Sequence, residues 1–469
     1  NRNNGNFRPL RRDIPPQRTK KEEDIMFKCA FFESDITPPL YNCMPGYFNE
    51  RLATDIKDKI YAKAIVVEGG NGEKVAMIAV EANFITEQIA NDAKERIAAH
   101  SDIKPENVTM SATHIHNGGP TVDWGKLVKH SPWYVKFVSE KAADAVIVAN
   151  QHLRPAKVSY ANGKVDDISF HRIYLMKNGT YQTNPGVRNP DVVRPAGPID
   201  PDVTVLFVED AETDKPMGAI VNFACHQDCV DAMAYSGDFS SAMSDNLKER
   251  FGFRFVSVFF PGTCGNINHF DVFGGKHAQK DYYRLMGKKL SDEILRVLPE
   301  REYCSDDTVS AYKRVCTVKK RMVPESEIPE LENITKTVVL REDEEIGSQS
   351  DPDQLRAVFA YDLLNYAKDK NDTKDVPVQF VRIGDNAFYE LPGEVFVEFG
   401  QKIKAESPFG HNFIFTNSNG LFGYIPLRDR FAPTVYESKL GCTSYLEPEA
   451  GYIFTDTALE LANKAKNSF

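Results

Sequence analysis

Strand-forming apolar segments alternate with amphipathic helical segments along this chain, and that alternation constrains the fold more than any other feature. Residues 59–80, KIYAKAIVVEGGNGEKVAMIAV, predict two strands joined by a Gly-Asn-Gly turn, which is a β-hairpin. Residues 86–100 then place apolar side chains three and four positions apart, as in a helix, and NVTMSAT returns to a strand pattern. This part of the chain therefore predicts hairpins mixed with strand–helix–strand units.

The same alternation continues toward the C-terminus. Predicted helices cover residues 131–152, 241–250, 279–297 and 353–368, and predicted strands cover residues 156–161, 202–209, 217–224, 255–260, 376–383, 386–390 and 412–416. Because hairpins interrupt the alternation, we predict an α/β fold with a mixed β-sheet core flanked by α-helical layers. A polar stretch, residues 324–351, is predicted to be a surface excursion.

No linker rich in Gly or Ser divides the chain, so residues 26–469 are predicted to form a single large domain of catalytic size. Residues 1–25 are basic and polar, unlike the rest, and are predicted to be an N-terminal extension, either native or added for expression. They contain no apolar h-region, which a secretory signal would need.

Composition excludes several classes of protein. The net charge of -10 at pH 7 argues against non-specific nucleic-acid binding, which requires a basic face. No apolar run approaches the roughly 20 residues of a membrane span. The eight cysteines are irregularly spaced and do not form a disulfide framework, so we predict free thiols in a reducing compartment. The prediction is therefore a cytoplasmic protein without a transmembrane segment.

Two histidines, His114 and His116, follow the strand pattern in TMSATHIHNGGP, residues 109–120. Residues i and i+2 of a strand share a face, so both rings are expected to point to the same side. Such a pair can bind one metal, or one ring can bind metal while the other meets substrate. Two unrelated histidines give the same pattern, so the pair indicates a site only if further ligands stand elsewhere in the chain.

Such ligands follow other predicted strands. His226 comes directly after the strand in VNFACHQD, and Glu394 follows a Pro-Gly turn at a predicted strand-to-helix junction. Active sites of α/β proteins form at the carboxyl ends of strands, and two histidines with one glutamate are usual protein ligands of a catalytic zinc. Cys225 and Cys229 offer an alternative metal site around His226, but small buried apolar residues are the favoured interpretation for both.

Six segments in order resemble the neutral (non-lysosomal) ceramidase family, from Met26 to about Leu461. They are SDITPPLYNCMPGYFNERLATDIKDKIYAKAIVVEGG, SATHIHNGGP, DISFHRIYL, FACHQD, LPGE, and the pair Tyr424 and Tyr436, which stand twelve residues apart. The resemblance covers the catalytic N-terminal domain only, because the family's better-known members carry a further C-terminal β-sandwich that this sequence is expected to lack.

The resemblance implies a zinc-dependent amidohydrolase of lipid metabolism, which cleaves the N-acyl bond of a small-molecule or lipid-like amide by attack of zinc-bound water. Four residues would bind Zn²⁺: His114, His226, Glu394 and Tyr424. His116, Arg172 and Tyr436 would surround the substrate carbonyl. Arg172 and Tyr436 are donors for an oxyanion. His116, expected near its titration midpoint at physiological pH, would move a proton to the leaving amine and stay outside the metal shell.

Several departures from the family bear on substrate and mechanism. Asn268, in GNINHF, takes the place of a serine once considered a nucleophile, which favours direct attack by zinc-bound water over an acyl-enzyme. Asn117 follows the His-x-His, and ACHQDC lacks the P-T or G-T-S that usually follows the second histidine. An ester, a lactone or a polar sugar amide is therefore an alternative to ceramide. A non-catalytic, metal-stabilised binding protein is a third alternative, although all four proposed ligands and Arg172 are present.

Overall fold

Two β-sheets pack face to face, and helices cover the outer face of each. The computed structural model describes residues 26–274, 281–341 and 351–468. The predicted N-terminal extension, residues 1–25, and residues 342–350 of the polar stretch lie outside the described residues. Within the described ranges, none of the helices combines the length and the apolar character needed to cross a membrane.

The strands are Phe27–Asp35 (β1), Asp55–Ile56 (β2), Tyr61–Glu68 (β3), Lys74–Val80 (β4), Val108–Ala112 (β5), Arg154–Lys164 (β6), Phe170–His171 (β7), Ile173–Met176 (β8), Tyr181–Thr183 (β9), Val192–Pro195 (β10), Asp202–Asp210 (β11), Pro216–Phe223 (β12), Ala234–Tyr235 (β13), Val256–Pro261 (β14), Ile267–Asn268 (β15), Glu302–Tyr303 (β16), Val309–Lys319 (β17), Thr373–Ile383 (β18), Asn386–Glu390 (β19), Glu394–Val395 (β20), His411–Phe415 (β21) and Tyr424–Ile425 (β22). The α-helices are Glu87–His100 (α1), Pro132–Gln151 (α2), Asp238–Phe251 (α3), Tyr282–Val297 (α4), Ile328–Thr337 (α5), Pro352–Tyr366 (α6), Val397–Glu406 (α7) and Ala450–Asn467 (α8).

The larger sheet is mixed. Its strand order is β14-β12-β11-β6-β1-β3-β4-β5, and β16 also pairs with β6. The β4–β5 and β12–β14 pairs are parallel, whereas β1–β3 and β11–β12 are antiparallel. The predicted hairpin is β3 and β4, with Val67 opposite Val75. The smaller sheet has the order β17-β18-β19-β21.

Alternate residues of each strand point to opposite faces, and this alternation sets the layers. On β3, Ala64 and Val66 pack with helices α1 and α2, whereas Ile65 and Val67 pack with residues of the smaller sheet such as Phe388. Helices α3 and α4 cover the β11, β12 and β14 part of the larger sheet, and α7 and α8 cover the smaller sheet. The layers are therefore helix, sheet, sheet, helix, and the predicted α/β fold with a mixed sheet and helical layers is confirmed.

The second sheet is predicted only in part: the apolar pattern gives strands β18, β19 and β21 but misses β17. Its edge strand β17 buries Val309, Cys316 and Val318 but is otherwise largely exposed, so it has no clear alternation of apolar and polar residues. The predicted surface excursion contains helix α5, which buries Leu331 and Ile334 in a cluster shared with α6. All eight cysteines are free thiols, as predicted.

Candidate metal centre

Short main-chain bridges bring the two histidine segments together. Strand β5 ends at Ala112, and strand β12 ends at Phe223. Beyond them, Ile115 and Gln227 form an isolated parallel bridge. Because each bridging residue stands next to a candidate ligand in sequence, the bridge holds His114 and His226 beside one another, with ring centroids 4.7 Å apart.

A tight turn presents Glu394 to the same place. Gly393 has a φ of 73°, and a Cβ there would lie 2.4 Å from the carbonyl oxygen of Gly423, so glycine is required. Glu394 then begins β20, which pairs in parallel with β22 so that Glu394 lies opposite Tyr424. The Pro-Gly turn thus makes Glu394 and Tyr424 neighbours at the centre.

His114, His226 and Glu394 converge on one point. His114 Nε2 lies 3.2 Å from Glu394 Oε2, and His226 Nε2 lies 3.1 Å from the same oxygen. All three side chains are at most 3% exposed. Among the residues that the structure describes, they form the one group of three or more His, Cys, Asp or Glu side chains whose potential ligand atoms all lie within 4.8 Å of one another. This donor set suits a metal ion.

Main-chain carbonyl groups hold the other nitrogen of each ring. His114 Nδ1 lies 2.9 Å from the Asn83 oxygen, and His226 Nδ1 lies 2.8 Å from the Cys264 oxygen and 2.9 Å from the Ile267 oxygen. A ring that donates from Nδ1 to a carbonyl presents Nε2 as the lone-pair nitrogen, which is the usual arrangement of a metal-ligating histidine. The two rings are therefore oriented as ligands by the backbone.

Electrostatics favour the protonation states that bind metal. Burial, with a smaller effect from Arg172, lowers the pKa of His226 to about 3, so the ring is neutral. Burial alone would raise the pKa of Glu394, but His114 and His226 hold it below its usual range, so the carboxyl is ionised. Neutral imidazole and ionised carboxylate are the forms that coordinate metal.

Tyr424 stands at the edge of this group. Its ring stacks on the His226 ring at a centroid distance of 6.4 Å, and the Arg172 guanidinium lies 5.2 Å from its ring centroid. Burial raises the pKa of Tyr424 well above its usual range. The structure brings Tyr424 to the centre, and its role as a ligand stays a prediction.

The backbone at His114 differs from the sequence expectation. His114 has a φ of 66°, in the left-handed region that residues other than glycine seldom adopt. The expectation that His114 and His116 share one face of a strand is therefore wrong. The rings are nevertheless close, with centroids 5.1 Å apart and planes at 87°, because the chain bends between them.

His116 borders the centre without joining the three converging side chains. Neither of its ring nitrogens has a hydrogen-bond partner among the described residues, and Gly46 is so close that a Cβ there would lie 2.7 Å from His116 Nδ1. Burial and the neighbouring His114 lower the pKa of His116 well below its usual range. The expectation of a titration midpoint near physiological pH is therefore wrong, and the ring is neutral there.

Arg172 is fixed by a buried acid that the sequence analysis missed. Arg172 Nε donates to Glu437 Oε1 at 2.5 Å, and Arg172 Nη2 donates to the Gly265 oxygen at 2.6 Å. Glu437 is 0% exposed, and its other oxygen accepts a hydrogen bond from Thr183 Oγ1 at 2.6 Å. Glu437 directly follows Tyr436, and an acid beside a candidate tyrosine is the one sequence signal that pointed to it.

A small cavity of about 80 Å³ lies beside the three converging side chains, and His226 is on its wall. Tyr436 lies on its wall, with its ring 6.0 Å from that of Tyr424, and burial raises the pKa of Tyr436 above its usual range. The cavity wall is rich in polar and aromatic side chains and consists of Gly46, Tyr47, Phe48, His116, Arg172, Thr183, Asn184, His226, Asp228, Asn268, Phe270, Tyr424 and Tyr436.

Asn268 lies on this wall at the position where the family resemblance implies a serine. Its side-chain amide donates to Asn184 Oδ1 at 3.1 Å, and its own Oδ1 accepts from the Phe270 amide at 3.0 Å. None of the described residues on this wall is a serine. The prediction that no serine nucleophile takes part is consistent with this composition and awaits a chemical test.

The alternative cysteine site does not form. Within the described part of the chain, the converging group contains neither Cys225 nor Cys229. Burial raises the pKa of both thiols well above the usual range, which disfavours the thiolate that a metal requires. Cys225 is a small buried side chain, as the favoured interpretation expected, whereas Cys229 is only partly buried.

Comparison with known proteins gives matches in sequence and in fold. Residues 27–241 match the family model described as neutral/alkaline non-lysosomal ceramidase, N-terminal. A neutral ceramidase of Oryza sativa is 26% identical over 201 residues, which is 41% of this chain and 25% of that protein. A neutral ceramidase of Pseudomonas aeruginosa is 24% identical over 219 residues, 44% of this chain and 31% of that protein. The matched region thus spans only a quarter to a third of these relatives.

The fold match extends over most of the chain. The crystal structure of neutral ceramidase from P. aeruginosa matches 94% of this chain and 75% of its own, with a TM-score of 0.72 at 18% identity. A ceramidase structure in complex with C2 matches 94% of this chain and 76% of its own, with a TM-score of 0.68 at 18% identity. The resemblance predicted from the motifs is confirmed: the chain is similar to neutral ceramidases in sequence over residues 27–241 and in fold over 94% of its length.

Proposed function

We propose that the protein is a zinc-dependent hydrolase that cleaves the N-acyl bond of an amide. One observation carries the proposal: His114, His226 and Glu394 converge beside a small cavity. The wall of this cavity contains His226 together with His116, Arg172 and Tyr436. The names of the two curated relatives support a ceramidase-like reaction. Because the contributing residues come from both halves of the sequence, we also propose that residues 26–469 act as one catalytic unit.

The donor set fits zinc. Two neutral imidazoles and one carboxylate are a known protein ligand set of catalytic zinc, and Tyr424, opposite Glu394 in the β20–β22 pair, is the proposed fourth ligand. When bound, zinc lowers the pKa of a coordinated water to about 7 and so supplies a nucleophile at neutral pH. The carbonyl contacts to Asn83, Cys264 and Ile267 would hold the ligands in place during turnover.

Arg172 and Tyr436 are the proposed donors to the oxygen of the substrate carbonyl. The contacts of Arg172 with Tyr424 and Glu437 keep its pKa above the usual range despite burial, so it remains charged. The raised pKa of Tyr436 keeps its hydroxyl protonated. Fixed donors aimed at a developing oxyanion are among the strongest contributions to catalysis.

His116 is the proposed proton carrier. Because its ring is neutral in this site, it can first accept a proton and then deliver it to the leaving amine. Neither nitrogen is committed to a hydrogen bond with a described residue, so both are available to substrate. Arg51 Nη1 donates to the His116 carbonyl oxygen at 3.0 Å and so fixes the backbone beneath the ring.

The size and polarity of the cavity favour a second candidate substrate for the same kind of reaction, hydrolysis. Ligand pockets for drug-sized molecules measure roughly 300–1,000 Å³, whereas this cavity measures about 80 Å³ and carries Thr183, Asn184 and Asn268 on its wall. Such a wall suits a compact polar group near the cleaved bond. A polar amide, such as a sugar amide, or an ester or lactone is therefore the alternative to ceramide.

The test is hydrolysis by zinc-loaded enzyme of a ceramide and of a water-soluble N-acyl amino sugar, with an O-acyl ester as third substrate. Release of the fatty acid and of the amine or alcohol is measured by mass spectrometry. Cleavage of either amide that is lost with a chelator and restored by zinc supports the proposal. Cleavage of the ester alone would support ester hydrolysis in place of amide hydrolysis. Stoichiometric zinc without cleavage of any of the three would support the non-catalytic binding protein instead.

A further inference from the structure

Among the described residues that line the cavity, Asp228 is the one with a carboxylate side chain. Arg172, the wall's guanidinium, is already paired with Glu437, which is 0% exposed. No lysine or arginine among the described residues forms an ion pair with Asp228, and His116 Nδ1 lies 3.5 Å from Asp228 Oδ1. Partly buried charges are normally compensated by a partner.

The carboxylate is held in a fixed direction. The Tyr47 hydroxyl lies 2.8 Å from Asp228 Oδ1 and 3.0 Å from Oδ2 and donates to this group. The Arg51 guanidinium lies 4.6 Å from the Tyr47 ring centroid, which fixes the tyrosine in turn. The Asp228 side chain keeps 25% of its surface exposed. Each carboxylate oxygen has two lone pairs, so acceptor sites remain for a further donor.

We propose that Asp228 is a specificity-determining residue that binds a protonated amino group on the amine part of the substrate. This inference rests on the proposed amide hydrolysis and deepens it. The substrate would be the amide of a small diamine, or of an amine with a second basic nitrogen within two or three bonds of the cleaved amide. A hydroxyl group would bind second best, because a charge-assisted hydrogen bond is stronger than a neutral one. A carboxylate, as in an N-acyl amino acid, would be repelled.

A different role for Asp228 would be to orient His116. The distance from His116 Nδ1 to Asp228 Oδ1 is 3.5 Å, and His116 Nδ1 has no hydrogen-bond partner among the described residues. Hydrogen bonds between nitrogen and oxygen are mostly 2.7–3.2 Å long. The Tyr47 hydroxyl, in contrast, is within that range of both carboxylate oxygens. The geometry therefore favours recognition of substrate over support of His116.

The test uses four hexanamides that share one acyl chain and differ at the end of the amine part. N-(2-aminoethyl), N-(2-hydroxyethyl) and N-propyl hexanamide are nearly isosteric, and N-hexanoylglycine carries the carboxylate. Dissociation constants at pH 7 are measured by calorimetry on zinc-loaded wild type, on Asp228→Asn and on Asp231→Asn. Asp231 is exposed and lies outside the cavity wall, so it is the matched control. Hydrolysis of the same four compounds is measured separately.

Wild type and Asp231→Asn should bind the aminoethyl amide about 10- to 100-fold more tightly than the propyl amide, in line with hydrogen bonds to charged groups. Asp228→Asn should reduce this ratio to about threefold or less. Equal affinities in the wild type, no detectable binding of any compound, or an unchanged ratio in Asp228→Asn would overturn the inference. A uniform loss of turnover on all four compounds with unchanged affinity ratios would also overturn it and assign Asp228 to His116. Selective binding without cleavage would leave the inference intact and contradict the proposed hydrolysis.

Discussion

Three side chains are proposed to bind the metal, and the main chain holds them in place; this ligand wall consists of His114, His226 and Glu394. Four others are proposed to meet the substrate, and side chains hold them for the most part; this substrate wall consists of His116, Arg172, Asp228 and Tyr436. Each ligand histidine has its Nδ1 at a carbonyl oxygen, and Glu394 lies in the β20–β22 pair. Arg172 and Asp228 instead depend on the side chains of Glu437 and Tyr47. We therefore expect single side-chain substitutions to alter the substrate wall more readily than the ligand wall.

Two of the three departures from the family motifs lie at the cavity. Asn268 and Asp228 line the cavity, and both stand in segments where the family motif differs. Asn117 is instead buried behind the histidines, where its side-chain amide donates to the carbonyl groups of Ala232 and Ala234 at 2.8 and 2.9 Å. On the proposed roles, such differences would leave the metal-binding side chains in place and change the groups that meet the substrate.

The largest expected effect is on the ligand wall. Removing metal with a chelator should abolish turnover, because the proposed nucleophile depends on the metal. Readdition of Zn²⁺ should restore it, and this is measured as amide hydrolysis before and after dialysis. Full activity of protein shown by elemental analysis to be free of metal would contradict the prediction.

On the substrate wall, His116→Ala should retain zinc and lose turnover by about 10²–10⁴-fold, the usual contribution of a general acid–base group. His114→Ala is the matched comparison and should lose both zinc and turnover. Zinc content and kcat are measured on the same preparations. If His116→Ala releases zinc as readily as His114→Ala, both histidines are ligands and the division of roles is wrong.

Arg172→Ala should lower kcat by about 10²–10³-fold, as expected for loss of one oxyanion donor. Glu437→Gln keeps the shape of the acid but removes its charge, so it should lower kcat by less, about tenfold, with KM little changed. Comparison of the two variants separates the contribution of Arg172, the proposed donor, from that of Glu437, which positions it. A larger loss in Glu437→Gln than in Arg172→Ala would show that Glu437 has a role beyond holding Arg172.

The smallest expected effect concerns Asn268. Its side chain forms hydrogen bonds with Asn184 and the Phe270 amide, and a net hydrogen bond is worth about 1 kcal/mol, so Asn268→Ala should lower kcat/KM by about fivefold.

A serine-directed covalent inhibitor should leave wild-type activity intact. Detection of an acyl-serine adduct by mass spectrometry would refute the prediction that water attacks directly.

The sequence allowed us to predict site residues that lie in a local strand pattern or motif. It did not allow us to predict site residues that are recognisable only by their contacts in the folded chain. His114, His226 and Glu394 each follow an apolar strand pattern and a recognisable motif, and the structure brings them together. Glu437 and Asp228 belong to no strand pattern, and their partners lie 265 and 181 residues away in sequence. Spacing along the chain could not reveal such pairs.

The same limit applies to the fold. The hairpin and the long helices have strong apolar periodicity, and the predicted segments fall on observed elements within a few residues. Edge strand β17, exposed at Lys313, Arg314 and Val315, has no such periodicity. The left-handed backbone at His114 was equally unpredictable, because it follows from the bend that the His116–Gln227 hydrogen bond and neighbouring contacts impose.

The central claim is that His114, His226 and Glu394 hold one zinc ion, and metal analysis of purified protein tests it most directly. Wild type should contain one zinc per chain after dialysis against metal-free buffer, and His114→Ala and His226→Ala should each contain little or none. Circular dichroism of the same samples would establish that the variants are folded. Stoichiometric zinc in both folded variants would contradict the account, because the metal would then be bound elsewhere.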